Sequence, residues 1–125
     1  MLVVDDEPVI VRLVGKCLES VATVVGETDP HHALERLLSE PGDVPFDVVV
    51  CDVMMPGMTG IDLHERVASQ KPECAERFVF TTGGTYTARA HDYLERIPNV
   101  RLYKPFNSAS LVDAVMEVGR AKPPG

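Results

Sequence analysis

Hydrophobic residues along this chain follow two alternating periodicities. Five short runs are almost entirely apolar and rich in β-branched residues, a pattern typical of strands buried on both faces of a sheet. These runs are Met1–Val4, Val21–Gly26, Phe46–Cys51, Phe78–Thr81 and Val100–Tyr103. Between them, apolar residues recur three and four positions apart, which is the spacing of amphipathic helices.

Five helices are predicted from this second spacing and from the residues at their ends. Pro8 suits a first helical position, and Asn107 or Ser108 suits the N-cap of the last helix. The predicted helices are Val9–Ser20, one from Asp29 or Pro30 to Leu38, one opening at Thr59 or Gly60, Thr85–Arg96 and Asn107–Arg120. Five strand–helix alternations predict a single α/β domain, a doubly wound five-stranded parallel sheet with helices on both faces.

The composition indicates a folded domain without the charge needed to bind polyanions. The chain has 125 residues, is 45% hydrophobic and carries a formal net charge of −7, so we expect no direct nucleic-acid or membrane binding. Its three cysteines, Cys17, Cys51 and Cys74, show no paired spacing and are predicted to be free thiols in a reducing compartment. No run approaches the roughly 20 apolar residues of a membrane span. We therefore expect a cytoplasmic protein.

Two of the predicted strands end in aspartates, the first in Asp5-Asp6 and the third in Asp52. Ligands of open parallel sheets bind beyond the carboxyl ends of the strands, where the strand order reverses. For five strands in the order 2-1-3-4-5, that position lies between strands 1 and 3, so the three carboxylates are expected to meet. At ~4 Å and an effective dielectric constant of ~20, each pair would repel by about 4 kcal/mol. A cation is therefore expected, and oxygen ligands suit Mg²⁺.

The ends of strands 4 and 5 add groups that interact with phosphate. Strand 4 runs into "FTTGG", a hydroxyl followed by residues without bulk, whose backbone N–H groups can approach an oxyanion. Strand 5 runs into "YKPF", where Lys104 precedes a proline that cannot continue a central strand. A lysine beside an acidic cluster relieves the repulsion and can hold a phosphate.

The segments "LVVDDEP", "DVMMPGMTGIDL", "FTTGG" and "KPF", in this order, resemble the receiver domain of bacterial two-component response regulators. The resemblance implies a flavodoxin-like fold, with a receiver domain at residues 1–121 and a tail or linker at 122–125. It implies phosphotransfer from a histidine kinase or histidine phosphotransfer protein onto an aspartate, with Mg²⁺ required. It also implies a downstream effector or a covalently linked domain.

Site roles follow from the same resemblance. Asp52 is expected to be the phospho-acceptor and to contact the metal. Asp6 is expected to bind the metal directly, Asp5 through water or as a supporting carboxylate, and Met54 through its backbone carbonyl.

The predicted switch residues include one departure from the family pattern. Lys104 resembles the lysine that pairs first with the acceptor and then with the phosphate. Thr82 is the predicted switch hydroxyl because a small residue follows it, and Thr81 is the alternative. The family often places an aromatic residue three positions before the lysine, where this chain has Arg101. Tyr103 shares a strand face with that position and is the candidate replacement.

The sequence supports three functional hypotheses to different degrees. The leading hypothesis is a phospho-accepting signalling module, either a stand-alone regulator or part of a longer protein such as a hybrid histidine kinase, and not an enzyme that turns over an external substrate. A Mg²⁺-dependent phosphohydrolase of the haloacid-dehalogenase type needs a second acid two residues after its nucleophile, and Met54 occupies that position. A pseudo-receiver that only binds partners is the third possibility, which the complete set of site residues disfavours.

Overall fold

The computed structural model describes residues 1–83 and 87–121. Its strands are β1 (Leu2–Val4), β2 (Val25–Glu27), β3 (Val49–Asp52), β4 (Phe78–Thr82) and β5 (Arg101–Tyr103). Its helices are α1 (Pro8–Leu18), α2 (Pro30–Ser39), α3 (Gly60–Gln70), α4 (Pro72–Ala75), α5 (Ala88–Arg96) and α6 (Ser108–Ala121). All neighbouring strands are parallel, in the order β2-β1-β3-β4-β5. The predicted α/β class and strand order are confirmed.

The central strands are apolar throughout because each side of the sheet carries its own hydrophobic core. Successive side chains of a strand point to opposite faces. Leu2, Val4 and Cys51 therefore pack with α2, α3, α4 and α5, while Val3 and Val50 pack with α1 and α6. This two-sided burial explains why the strands lack a polar alternation.

Two helices begin with side-chain caps at positions where the sequence predicts helix starts. The Asp29 side chain accepts a hydrogen bond from the backbone N–H of His31 (2.8 Å). Asn107 Oδ1 accepts from the N–H of Ser110 (2.7 Å). Such bonds satisfy amides that have no partner inside the helix.

Some boundaries differ from the predictions. Strand β2 begins at Val25 rather than Val21, because the amides of Val21 and Ala22 donate to the Leu18 carbonyl and close the end of α1. Strand β3 begins at Val49 rather than Phe46, although Phe46 still packs against the core.

Helix α4 was not predicted, since four residues are too few to show a periodicity. The predicted helix start at Thr85 and the predicted tail at 122–125 lie outside the described residues. Among the residues that are described, no helix is long and apolar enough to cross a membrane.

Candidate functional site

Three aspartates converge at the carboxyl edge of the sheet, as the strand order predicts. The register pairs Val4 of β1 with Cys51 of β3, so Asp5 and Asp52, which come next, lie side by side. Both are buried, with 2% and 8% of their surfaces exposed, while Asp6 is accessible to solvent. One carboxylate oxygen from each of the three residues lies within 4.8 Å of the other two.

Lys104 brings a positive charge to this cluster. Its backbone amide donates to the Thr82 carbonyl (2.7 Å) at the end of the β4–β5 pairing, which fixes where its side chain begins. Its Nζ donates to Asp5 Oδ2 at 3.3 Å and lies 3.5 Å from Asp52 Oδ2. One ammonium group thus contacts two of the three carboxylates.

The pocket holds more negative charge than Lys104 compensates. Burial and the neighbouring Asp5 raise the pKa of Asp52 to about 6, although Lys104 and the Met54 N–H favour its ionised form. Burial alone would lower the pKa of Lys104, but the carboxylates of Asp52 and Asp5 outweigh it and raise that pKa. Both pKa shifts have the direction expected of a pocket that a further cation would stabilise.

The ligand chemistry of the pocket fits a hard divalent cation. Within the described part of the chain, these aspartates form the one group of three side chains able to hold a metal ion. All the donors are carboxylate oxygens, which Mg²⁺ and Ca²⁺ prefer over nitrogen or sulfur. The N–H of Met54 donates to Asp52 Oδ1 at 3.4 Å, so the backbone after the strand folds back beside the acceptor. That the Met54 carbonyl binds metal stays a prediction.

The two candidate switch threonines lie on opposite faces of β4. Both are buried. The register pairs Thr81 with Asp52 and Thr82 with Tyr103, and residues paired in this way point to the same face of a sheet. Thr82 therefore lies beside Tyr103, whose surface is 54% exposed. This neighbourhood agrees with Tyr103 as the replacement aromatic residue, and the role of Thr82 itself stays a prediction.

Arg101, at the position where the family often has an aromatic residue, contacts helix α5. Its guanidinium donates to the Leu94 carbonyl at 3.4 Å and lies 3.9 Å from the Glu95 carboxylate. At this position the chain therefore makes polar contacts with α5.

Sequence reasoning missed the backbone contact between α3 and the acceptor. The Gly60 amide donates to the Val53 carbonyl (2.8 Å), and a Cβ at Gly60 would overlap the backbone carbonyl oxygen of Asp52. The adjacent capping box, in which Thr59 and Asp62 bond to each other's backbone amides (both 3.1 Å), fixes the start of α3. The Thr-x-x-Asp spacing was the available signal for this box, since an acid at N3 completes it.

An apolar groove of about 520 Å³ lies next to the acidic pocket, between α1 and the turn that leads into α6. Lys104 borders both the groove and the carboxylates. On α1, Val9 and Leu13 expose 68% and 58% of their surfaces. The groove is lined by Ile10, Leu13, Val14, Cys17, Lys104, Pro105, Phe106 and Ser108.

Several known proteins are similar to this chain in sequence or in structure. A family model described as the response regulator receiver domain matches residues 1–116. The transcriptional regulatory protein TcrA of Mycobacterium tuberculosis is 32% identical over 98% of this chain and 47% of its own length, so the chain spans about half of TcrA. The response regulator receiver protein CpdR of Brucella abortus is 30% identical over 92% of each chain. The structure of chemotaxis protein CheY4 of Vibrio cholerae matches with a TM-score of 0.76 and 27% identity, over 94% of this chain and 95% of that one.

Proposed function

Because the chain belongs to the response regulator receiver family of two-component signalling, we propose that Asp52 accepts a phosphoryl group from a phosphohistidine. The convergence of three aspartates with the Lys104 ammonium at one sheet edge carries this proposal. Receiver domains are signalling modules that interact with histidine kinases and effector domains. The product here would be an acyl phosphate whose charge changes the nearby surface.

The transfer is a displacement at phosphorus. An Asp52 carboxylate oxygen attacks, the O–P bond forms and the N–P bond of the phosphohistidine breaks, with its electron pair remaining on the imidazole nitrogen. Catalysis depends on positioning and on charge stabilisation rather than on acid–base chemistry. Hydrolysis of the acyl phosphate by water returns Asp52 to its starting state.

Lys104 and a threonine would respond to the new phosphoryl group. The Lys104 ammonium, now held between two carboxylates, would pair with the phosphoryl oxygens, where charge-assisted hydrogen bonds are strong. The Thr82 hydroxyl would donate to another oxygen; the alternative is Thr81, which the register pairs with Asp52. Since Tyr103 neighbours Thr82 across the sheet, movement of this hydroxyl would change the space beside the ring and reshape the turns after β4 and β5.

Mg²⁺ would be held by the carboxylates of Asp6 and Asp52 and the Met54 carbonyl, with Asp5 acting through water or as a supporting group. When bound, it neutralises negative charge on the oxygens of the transferring group. The excess of carboxylates over ammonium groups in the pocket supports this assignment.

The donor protein would dock on the apolar groove beside the pocket. Its phosphohistidine must reach Asp52 from solvent, and Lys104 joins the groove to the acceptor. Exposed Val9 and Leu13 extend this surface along α1 and would pack against an apolar face of the donor.

Labelling with a small phosphodonor tests the proposal. Acetyl phosphate with Mg²⁺ should add one phosphoryl group, detected by intact-mass spectrometry, and a chelator should prevent the addition. Asp52→Asn should abolish it, while the exposed-acid control Asp43→Asn should be labelled normally. Comparing Thr82→Ala with Thr81→Ala identifies the switch hydroxyl, because only loss of the hydroxyl that binds the phosphoryl group should impair the response to phosphorylation. Unchanged labelling of Asp52→Asn would place the acceptor elsewhere.

A further inference from the structure

Helix α5 contacts α3 through a set of polar side chains that phosphoryl transfer does not use. Arg89 donates to Asp62 Oδ1 at 3.2 Å and to Glu65 Oε1 at 3.0 Å. Its side chain is 57% exposed, so each ion pair alone is weak. Together they join the first turn of α5 to the first two turns of α3.

The buried His64 side chain makes two hydrogen bonds beside these ion pairs. His64, only 4% exposed, places Nε2 3.0 Å from the Ala75 carbonyl and Nδ1 2.6 Å from the Tyr93 hydroxyl. A carbonyl can only accept, so the proton is on Nε2 and Nδ1 accepts from the Tyr93 hydroxyl. Burial lowers the pKa of His64, which favours this neutral form. We call the five residues Asp62, His64, Glu65, Arg89 and Tyr93 the α3–α5 contact.

The α3–α5 contact matters to α5 because few apolar side chains anchor this helix. Ala90 and Leu94 are its buried residues, and Tyr93 and the C-capping Ile97 pack partly buried against the same core. The polar contact adds to this limited apolar packing, and elements with little apolar burial are those that move at low free-energy cost.

The same contact is joined to the acceptor through the start of α3. Asp62 both completes the capping box with Thr59 and accepts from Arg89. Gly60, between Thr59 and Asp62, lies directly against the Asp52 backbone. The N-terminal end of α5 lies close to β4 along the chain, because α5 begins six residues after Thr82, with Thr87 as its N-cap. A shift of the Asp52 loop therefore reaches the α3–α5 contact through the packed start of α3.

We propose that the α3–α5 contact holds α5 in the position it takes while Asp52 is unmodified, and so opposes the phosphorylated conformation. In the structure, Lys104 is engaged with the Asp5 and Asp52 carboxylates, which is the arrangement of an unmodified acceptor. Interactions made in only one of two conformations shift the equilibrium toward it and lower the apparent affinity of whatever binds the other. This inference rests on the proposed function, and it names the elements that regulate the switch.

Two conservative variants test the inference. Tyr93→Phe removes the hydroxyl and keeps the ring, and Arg89→Gln removes both ion pairs. Each should increase hydrogen exchange of the α5 amides without affecting α2 or α6. Each should also raise the apparent affinity for beryllofluoride with Mg²⁺, a phosphoryl mimic, by about 3- to 10-fold, the factor expected for one lost hydrogen bond.

Arg66→Gln is the matched control, since Arg66 is an exposed cation on α3 outside this contact, and it should change neither measurement. Faster exchange with unchanged or weaker beryllofluoride affinity would overturn the proposal, because a merely structural contact has that effect. Failure of the unaltered protein both to bind beryllofluoride and to accept phosphate from acetyl phosphate would instead overturn the proposed function.

Discussion

Replacing Asp52 by Asn should stabilise the metal-free protein at alkaline pH, even though it removes the proposed acceptor. Asp52 is buried beside Asp5, and its pKa is about 6 rather than the ordinary 3.8. At about 1.36 kcal/mol per tenfold change in proton affinity, the difference corresponds to about 3 kcal/mol. Solvent at the pocket mouth screens part of this, so we expect a gain of about 1–3 kcal/mol in unfolding free energy.

The pH dependence of this gain follows from the direction of the shift. At pH 8 the carboxyl group is ionised in both the folded and the unfolded chain, and the folded state bears the full cost of the buried charge. The cost falls as the pH decreases through about 6 and vanishes below the unfolded pKa, where both states are protonated. The advantage of Asp52→Asn should therefore be largest at pH 8 and absent near the unfolded pKa.

Urea unfolding followed by circular dichroism measures this difference, since the chain contains no tryptophan. With a urea m-value of about 1–3 kcal/mol per molar, the midpoint should rise by about 1 M at pH 8 in the presence of a chelator. Asp43→Asn is the control for loss of an exposed charge and should shift the midpoint little. Saturating Mg²⁺ should make the unaltered protein the more stable of the two. A ligand that binds only the folded state stabilises it, and the unaltered protein keeps the Asp52 carboxylate and so binds Mg²⁺ better. Equal midpoints for Asp52→Asn and the unaltered protein at pH 8 would refute the electrostatic account of the pocket.

Two further predictions concern α3 and α1. Gly60→Ala should lower the unfolding free energy by about 1–3 kcal/mol and slow labelling by acetyl phosphate, because its Cβ would overlap the Asp52 carbonyl oxygen. Gly15→Ala, where the added Cβ meets only ordinary packing, should be neutral or stabilising in thermal unfolding. Leu13→Asp should impair phosphotransfer from a phosphorylated donor protein but leave labelling by acetyl phosphate intact. Val21→Asp, at an exposed apolar residue outside the groove, should affect neither reaction, and loss of both reactions in Leu13→Asp would indicate misfolding rather than a docking defect.

The sequence predicted the arrangement of the acidic pocket because strand ends and strand order determine it. Asp5, Asp6 and Asp52 follow apolar strands directly, and a parallel sheet in this order brings those ends together. Lys104 follows the last strand and reaches the same edge. These placements depend on backbone topology rather than on details of side-chain packing.

The contacts of α5 could not be predicted in this way. His64 and Tyr93 are 29 positions apart and meet only after two helices pack on the same face of the sheet. Arg101 was noted as a departure from the family pattern, but its bond to the Leu94 carbonyl depends on the position of α5. The late start of β2 similarly depends on how α1 ends, which apolar periodicity does not record.

The strands at the two borders of the sheet are unusually short. β2 and β5 have three residues each, as does the interior strand β1, whereas β4 has five. A strand from another molecule could form only a few backbone hydrogen bonds along either border, so the sheet is a poor template for intermolecular β-pairing. Such a domain can be joined to other folded units, or present at high concentration, with little risk that its sheet extends into theirs.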